Sequence, residues 1–170
     1  MISRARAIRI LDEAGCPPNV IEHCKTVASL AVEIAERIRA NGKEVDIRLV
    51  EAGALLHDLG RCRTHGISHA VEGFELAREL GLDPKIAEII KRHIGAGISE
   101  EEAGEIGLPT HDYFPRSLEE KIVAHADNLV GGTRRITIEE RVGRMQKKHI
   151  GKEVTRRVEK LAEEIEEISC

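Results

Sequence analysis

The chain has 170 residues, of which 30 are Asp or Glu and 26 are Lys or Arg, so its formal net charge at pH 7 is −4. A chain of this length can bury the core of one domain and leaves little room for a second, so we expect a single domain over 1–170. The slight acidic excess offers no general attraction for nucleic acid or anionic lipid, and no apolar run reaches membrane-spanning length. Since the N-terminus leads into an amphipathic helix rather than a signal sequence, we expect a cytoplasmic protein with neither a membrane nor a nucleic-acid partner.

Apolar residues recur at three- and four-residue steps along almost the whole chain, which predicts an all-α protein. A first helix is predicted over 2–14 and ends at Gly15. A second, long helix follows, and His23 lies on its apolar face. His23 is therefore expected to point toward the core.

The third predicted helix is capped by Asp46, and its buried row reaches His57. Successive residues of a helix differ by about 100°, so Asp58 projects to the side of His57. A further helix is predicted to begin at His69, with Ser68 as its cap. His69 would lie in the first turn of this helix, a position that is also typical of an exposed cap residue.

A helix that opens with Asp83 and Pro84 has an apolar face that ends at His93. Capping boxes predict two more helices, which begin after Ser117 and after Thr137, and apolar periodicity predicts a last helix over 152–168. The longest section without a predicted element is 95–116, and loops of that length are often functional.

The last helix carries an apolar stripe that is made up of Val154, Val158, Leu161, Ile165 and Ile168. Such a stripe must be buried, either on the same domain, with the helix at 2–14 as the expected neighbour, or on a second copy. We therefore expect a monomer or a homodimer. The core of the domain is expected over about 19–132, with the helices at 2–14 and 137–168 packed on it.

Two aspartates lie in apolar surroundings, where an ionised carboxylate is costly unless it is paired or bound to a cation. Asp58 follows His57 at the end of a buried helix, and Asp127 lies inside the apolar run 122–129. Taken alone, an inward residue such as His23 is more typical of a hydrogen-bonded core histidine. With no arginine expected on the same faces, a transition-metal ion would neutralise the aspartates better than a salt bridge, and His and Asp are ligands for such ions.

The order His23, then His57-Asp58, then Asp127 resembles the signature of the HD-domain (HDIG-type) metal-dependent phosphohydrolases. The resemblance extends to about Gly132. It implies a single-domain helical bundle with a metal bound by these four residues. It also implies a phosphohydrolase or phosphodiesterase that acts on a phosphorylated small molecule, such as a nucleotide.

His69 and His93 resemble the two additional histidines of the two-metal branch of that superfamily. The resemblance implies that Asp58 bridges two divalent transition metals and that His69 and His93 complete the second site. Fe or Mn is the expected metal, with Co, Ni or Zn as alternatives. Two such cations would polarise a phosphoryl group and activate a water molecule at neutral pH.

The resemblance defines the type of reaction better than it defines the substrate. The connection from Asp58 to His69 is shorter than in the diadenosine tetraphosphatases, and Ile94 follows His93 where the cyclic-dinucleotide phosphodiesterases carry a second histidine. Two other functions remain open. One is a nucleotide phosphatase with one metal, and the other is a non-catalytic nucleotide-sensing module that contains metal.

Arg61, just after the His-Asp pair, is expected to bind the phosphate and to act in catalysis with Asp58, His69 and His93. Three other arginines are candidates for the same role, although each also fits a solvated helix cap; they are Arg92, Arg134 and Arg135. Three further histidines could serve as a general acid or support the ligands, and they are His65, His111 and His125.

Overall fold

The computed structural model describes all 170 residues. It consists of nine α-helices, one 3₁₀ turn and one small antiparallel hairpin, which confirms the predicted all-α class. The elements in chain order are α1 Arg4–Glu13, α2 Pro18–Ala40, α3 Ile47–Leu56, the 3₁₀ turn Leu59–Cys62, α4 His69–Glu79, α5 Pro84–Lys91, α6 Glu100–Glu105, α7 Leu118–Asn128, β1 Val130–Gly131, β2 Arg134–Arg135, α8 Ile138–Lys147 and α9 Lys152–Ser169. None of the helices combines the length and the apolar character that a membrane crossing requires.

Helix α3 lies at the centre of the bundle, where it packs against α1, α2, α5 and α7. Seven of its ten residues are buried. A Cβ at Gly53 would lie 2.5 Å from the Cδ1 atom of Ile89, so the glycine allows α5 to approach α3 closely. Because α3 ends at Leu56, the next two residues, His57 and Asp58, emerge inside the core.

Two glycines bring the 3₁₀ turn into backbone contact with α4. A Cβ at Gly60 would overlap the carbonyl oxygen of His69, and a Cβ at Gly73 would lie 2.9 Å from the backbone nitrogen of Gly60. No side chain fits at either position, so glycine is required at both for steric reasons. This contact fixes the start of α4 beside the residues that follow α3.

Two short elements lie outside the predicted pattern. Helix α6 forms within the section 95–116, and it begins with a capping box in which Ser99 and Glu102 each accept a hydrogen bond from the other's backbone N–H. Six residues are too few to show an apolar periodicity, so the pattern analysis missed this helix. The hairpin of β1 and β2 has only two residues in each strand, which is also too short for an alternating pattern.

Helix α9 buries its apolar stripe within its own chain. The side chains of Val158, Leu161 and Ile165 are buried, and α9 packs against α7, α8 and α2. The prediction that α9 packs on the N-terminal helix is wrong, because α1 packs on α3 and α2 instead. With its centre covered inside the protomer, the stripe gives no reason to expect a second copy of the chain.

Candidate metal centre

Four histidines from four different parts of the bundle are anchored in the same way. In each, the Nδ1 atom lies 2.6–2.8 Å from a backbone carbonyl oxygen. The pairs are His23 with Gly132, His57 with Ala54, His69 with Gly66 and His93 with Ile90. Because a carbonyl oxygen only accepts hydrogen bonds, Nδ1 carries a hydrogen, and in the neutral ring Nε2 then presents its lone pair.

All four Nε2 atoms point toward the carboxylate of Asp58. Its Oδ1 atom lies 3.2 Å from Nε2 of His69 and 3.4 Å from Nε2 of His93. Its Oδ2 atom lies 3.7 Å from Nε2 of His23 and 3.6 Å from Nε2 of His57. The two oxygens of one buried carboxylate thus face two different pairs of histidines.

Asp127, on α7, adds a second carboxylate beside only one of the two histidine pairs, His23 and His57. Its Oδ1 atom lies 3.0 Å from Nε2 of His23 and 3.4 Å from Nε2 of His57. The structure therefore brings the six predicted metal ligands into one cluster with two lobes. In one lobe, His23 and His57 lie beside one oxygen of Asp58 and beside Asp127; in the other, His69 and His93 lie beside the second oxygen of Asp58. His57, His93 and Asp127 also lie close enough together to form a group across the two lobes.

Several acceptor atoms in the cluster lack a donor. The Nε2 atom of His57 is fully buried and has no hydrogen-bond partner. The Nε2 atoms of His69 and His93 lie 3.1 Å apart, although Nδ1 of each ring already donates to a carbonyl. Buried lone pairs that face one another are unfavourable unless a proton or a cation lies between them. Imidazole and carboxylate donors in this arrangement suit a divalent transition metal.

Burial and mutual charge shift the pKa values of four cluster residues. Burial alone would lower the pKa of His57, but the charges of Asp58 and Asp127 outweigh it and hold that pKa well above the usual value. Burial would raise the pKa of both aspartates, but His57 and the neighbouring histidines hold both values far below the usual range. Burial lowers the pKa of His93, which favours its neutral form. The cluster is thus a buried group of anions and lone pairs that favours positive charge.

Arg61 lies closer to the cluster than expected. Its Nε atom is 3.1 Å from Oδ2 of Asp58, and its Nη1 atom donates to the carbonyl oxygen of His65. The expectation that no arginine shares the faces of the aspartates is therefore wrong for Asp58. The reason is the 3₁₀ turn, in which three residues complete one turn and return Arg61 to the side of Asp58.

A cavity of about 530 Å³ opens onto the cluster. One part of its wall is formed by cluster residues, which are His23, Asp58, His69, His93 and Asp127. His57 lies behind them, fully buried. Helix α8 and the residues that lead into α9 form another part of the wall, and the polar side chains there are those of Arg141, Arg144 and Lys148.

The three remaining candidate histidines lie in different surroundings. His65 is exposed and lines the cavity. His111 is exposed but does not line the cavity. His125 is buried away from the cavity, where burial and the nearby charge of Arg37 lower its pKa to about 4. Of these three histidines, only His65 is therefore placed to contact a molecule bound in the cavity.

The three other candidate arginines do not line the cavity, because each is engaged elsewhere. Arg92 is buried, and it donates to a carboxylate oxygen of Glu88 and to the carbonyl oxygen of Phe114. The two arginines of β2 form ion pairs, Arg134 with Glu140 and Arg135 with Glu33. Through these contacts the three arginines stabilise the loop before α7, the hairpin and α8.

Sequence reasoning missed the cationic side chains of α8. Arg141, Arg144 and Lys148 recur at three- and four-residue steps, so their spacing could have shown that they share one face. Arg141 donates to three carbonyl oxygens where α7 ends, with distances of 3.4 Å to Asp127, 2.7 Å to Asn128 and 2.8 Å to Val130. It therefore fastens α8 to the end of the helix that carries Asp127.

The chain is similar to known proteins along most of its length. The family model of the HD domain matches residues 20–132. An uncharacterized protein of Methanocaldococcus jannaschii is 54% identical over 143 residues, which are 84% of each chain. A tRNA (cytidine(56)-2'-O)-methyltransferase of Thermoplasma volcanium is 42% identical over 168 residues, which cover 93% of this chain and 48% of that protein. The chain thus spans about half the length of that methyltransferase.

A solved structure has the same fold. It is the HD domain of the L. monocytogenes phosphodiesterase PgpH in complex with cyclic-di-AMP. The two chains superpose with a TM-score of 0.56 over 92% of each, at 16% sequence identity. At that identity the likeness establishes the helical architecture.

Proposed function

This chain belongs to the HD-domain family, and on that premise we propose that it is a metal-dependent phosphohydrolase or phosphodiesterase. Its substrate would be a nucleotide or another phosphate ester. The observation that carries the proposal is the position of Asp58, whose two carboxylate oxygens face two separate pairs of histidine Nε2 atoms. A carboxylate shared in this way is suited to bridge two divalent cations.

The spacing of the ligand atoms supports this assignment. Two ligand atoms that each lie about 2.1 Å from one cation are separated by about 3.0–3.4 Å at octahedral or tetrahedral angles. The nitrogen–oxygen distances in the cluster are 3.0–3.7 Å. One site would be formed by His23, His57, Asp127 and Asp58, and the other by Asp58, His69 and His93.

Divalent cations at these sites would polarise the phosphoryl group and lower the pKa of a water molecule. Hydrolysis adds the hydroxyl of that water to phosphorus, breaks the ester P–O bond and leaves the proton on the departing oxygen. Arg61 lines the same cavity, where its guanidinium can turn from Asp58 to a phosphate oxygen. His65, at the cavity wall, is the candidate that could supply the proton to the departing oxygen.

The size of the cavity agrees with a nucleotide. A volume of about 530 Å³ falls within the range of sites that enclose small-molecule ligands. The complex of PgpH with cyclic-di-AMP supports nucleotides as the substrate class. The Thermoplasma relative is named as a tRNA methyltransferase, but this chain matches only about half of that protein. That name therefore does not indicate the substrate of this chain.

A one-metal phosphatase, in which His69 and His93 contact phosphate directly, is less well supported. A phosphate oxygen would need a hydrogen on Nε2 of these rings. Their Nδ1 atoms already donate to carbonyl oxygens, so a neutral ring offers a lone pair at Nε2. The lowered pKa of His93 opposes a second proton there, so its Nε2 is better suited to bind a cation.

The proposal is tested by metal analysis of protein purified without oxygen, followed by assays with phosphate esters and added Mn, Fe, Co, Ni or Zn. We expect about two metals per chain, no hydrolysis after chelation, and recovery of hydrolysis when the metal is restored. Stoichiometric metal without hydrolysis of any ester would favour the sensing module. Saturation at one equivalent in excess metal would favour the one-metal enzyme.

A further inference from the structure

The charge of the chain is unevenly distributed. Residues 134–157 contain nine Lys and Arg against three Glu, whereas the rest of the chain contains 17 Lys and Arg against 27 Asp and Glu. The basic segment covers β2, α8 and the start of α9, and it begins just after the HD-family match ends. The net positive charge of this segment therefore lies outside the family-matched region.

Much of this positive charge is already neutralised or engaged. Arg134 and Arg135 pair with glutamates, and Arg157 pairs with Glu102. Arg141 donates to the carbonyl oxygens at the end of α7. These side chains maintain the packing of the segment and are not available for a ligand.

Arg144 and Lys148 differ from these neighbours. Both line the cavity that opens onto the cluster, and neither has a carboxylate oxygen within 4.0 Å of its side-chain nitrogens. They lie one helical turn apart, so their side chains share a face. Two unpaired cations on one wall of the cavity suit an anionic group of a bound ligand.

The guanidinium of Arg144 lies directly over the backbone of Gly131, where a Cβ would overlap it. The next residue, Gly132, holds the ring of His23 through its carbonyl oxygen. Arg144 thus contacts the residue that directly precedes the one whose carbonyl oxygen positions His23. The absence of a side chain at Gly131 allows the guanidinium to occupy this place.

We propose that Arg144 and Lys148 form a second phosphate subsite, so that the substrate carries a further phosphate in addition to the one that reacts. This inference rests on the proposed function and specifies its substrate class. An ester with a single phosphate would leave the two cations without an anionic partner. A dinucleotide with a terminal phosphate supplies one group for the cluster and one for the subsite.

The matched probes are the dinucleotides ApA and pApA, which share one phosphodiester and differ by a 5′-phosphate. We expect metal-loaded wild-type protein to prefer pApA over ApA in kcat/KM by about tenfold or more. Arg144→Ala and Lys148→Ala should each reduce this ratio by about threefold to tenfold. Gly131→Ala, which displaces the guanidinium of Arg144, should reduce it as well.

Lys147→Ala is the matched control, because Lys147 is an exposed lysine beside Lys148 that does not line the cavity. It should leave the pApA/ApA ratio at the wild-type value. The subsite is wrong if Arg144→Ala and Lys148→Ala also keep that ratio.

If neither dinucleotide is hydrolysed, the proposed function fails for this substrate class, and calorimetric titration of the metal-loaded protein tests the subsite separately. Tighter binding of pApA than of ApA, lost in Arg144→Ala and Lys148→Ala, would support the subsite. Equal affinity of the wild-type protein for the two dinucleotides would overturn it.

Discussion

The two sides of the cavity are built in different ways. The cluster side lies within the HD-family match, its side chains are mostly buried, and each of its four histidines is tied to a backbone carbonyl oxygen. The other side is α8, which lies outside the match and has no buried residue. Two of the cations that line the cavity on this side, Arg144 in α8 and Lys148 directly after it, have no carboxylate partner.

The difference agrees with the roles proposed for the two sides. Ligand atoms of a metal must be held to within a few tenths of an ångström, which requires buried side chains with fixed tautomers and backbone anchors. A phosphate held by long cationic side chains tolerates more movement. We therefore expect substitutions on the cluster side to abolish function and those on the α8 side to change substrate preference. Experiments on both sides test this comparison.

The largest effect is expected for Asp58→Ala. Both histidine pairs face this carboxylate, so its removal should release both metals and reduce hydrolysis by a factor of about 1,000 or more. Metal content per chain and kcat measure the outcome. Asp12→Ala, on the exposed side of α1, is the control and should keep both. Full metal content in Asp58→Ala would show that the cluster does not bind metal through this residue.

His69→Ala and His93→Ala should each lower bound metal from two equivalents toward one. The lobe formed by His23, His57 and Asp127 remains intact in both variants, so the fold should persist while hydrolysis falls about 100-fold. Metal analysis measures the loss of one metal, and circular dichroism checks that the fold persists. An exposed histidine outside the cavity provides the control, His111→Ala. Unchanged metal content in both cluster variants would contradict the second metal site.

Gly60→Ala tests the backbone support of the cluster. The new Cβ would overlap the carbonyl oxygen of His69 and push α4 away from the 3₁₀ turn. We expect the free energy of unfolding to fall by about 2–4 kcal/mol and the second metal to be lost. Gly104→Ala is the control, because nothing lies near its Cβ position and alanine favours a helix. Wild-type stability in Gly60→Ala would show that the contact is not required.

Arg141→Ala tests the connection between the two sides of the cavity. It leaves three carbonyl oxygens at the end of α7 without a charged donor, so we expect a loss of about 1–3 kcal/mol in stability. Asp127 lies on the affected turn, so metal should bind more weakly at its lobe. Thermal unfolding and metal titration measure these effects, with Arg134→Ala at an exposed ion pair as the control. If both quantities stay unchanged, the two sides are independent.

The smallest effect on the cluster side is expected for Arg61→Ala. Its guanidinium contacts Asp58 but is not a metal ligand, so metal content should remain while kcat/KM for phosphate esters falls about tenfold. Arg63→Ala removes an exposed arginine that pairs with Glu72 and Glu79, and it should leave the kinetics unchanged. Unaltered kinetics in Arg61→Ala would make that residue a cap of the 3₁₀ turn.

The sequence by itself determined the elements and the residue types of the cluster. Apolar periodicity identified most of the helices and placed His23 on an inward face, and Asp127 stood out because it lies inside an apolar run. The adjacency of His57 and Asp58 at the end of a buried helix indicated a metal site, since a buried carboxylate needs a partner. These inferences depend on spacing along a helix and on the cost of a buried charge, whereas the choice of His69 and His93 as ligands depends on the family resemblance.

Only the tertiary structure decided how these elements meet. Three features depend on how separate elements are oriented. They are the position of Asp58 between two histidine pairs, the contact of Arg61 with Asp58, and the packing of α9 on α7. The cations of α8 follow a helical spacing in the sequence, but the hairpin and Arg141 determine that this face lines the cavity. The physical reason is that spacing fixes directions within one helix, whereas distances between helices depend on close packing of the whole core.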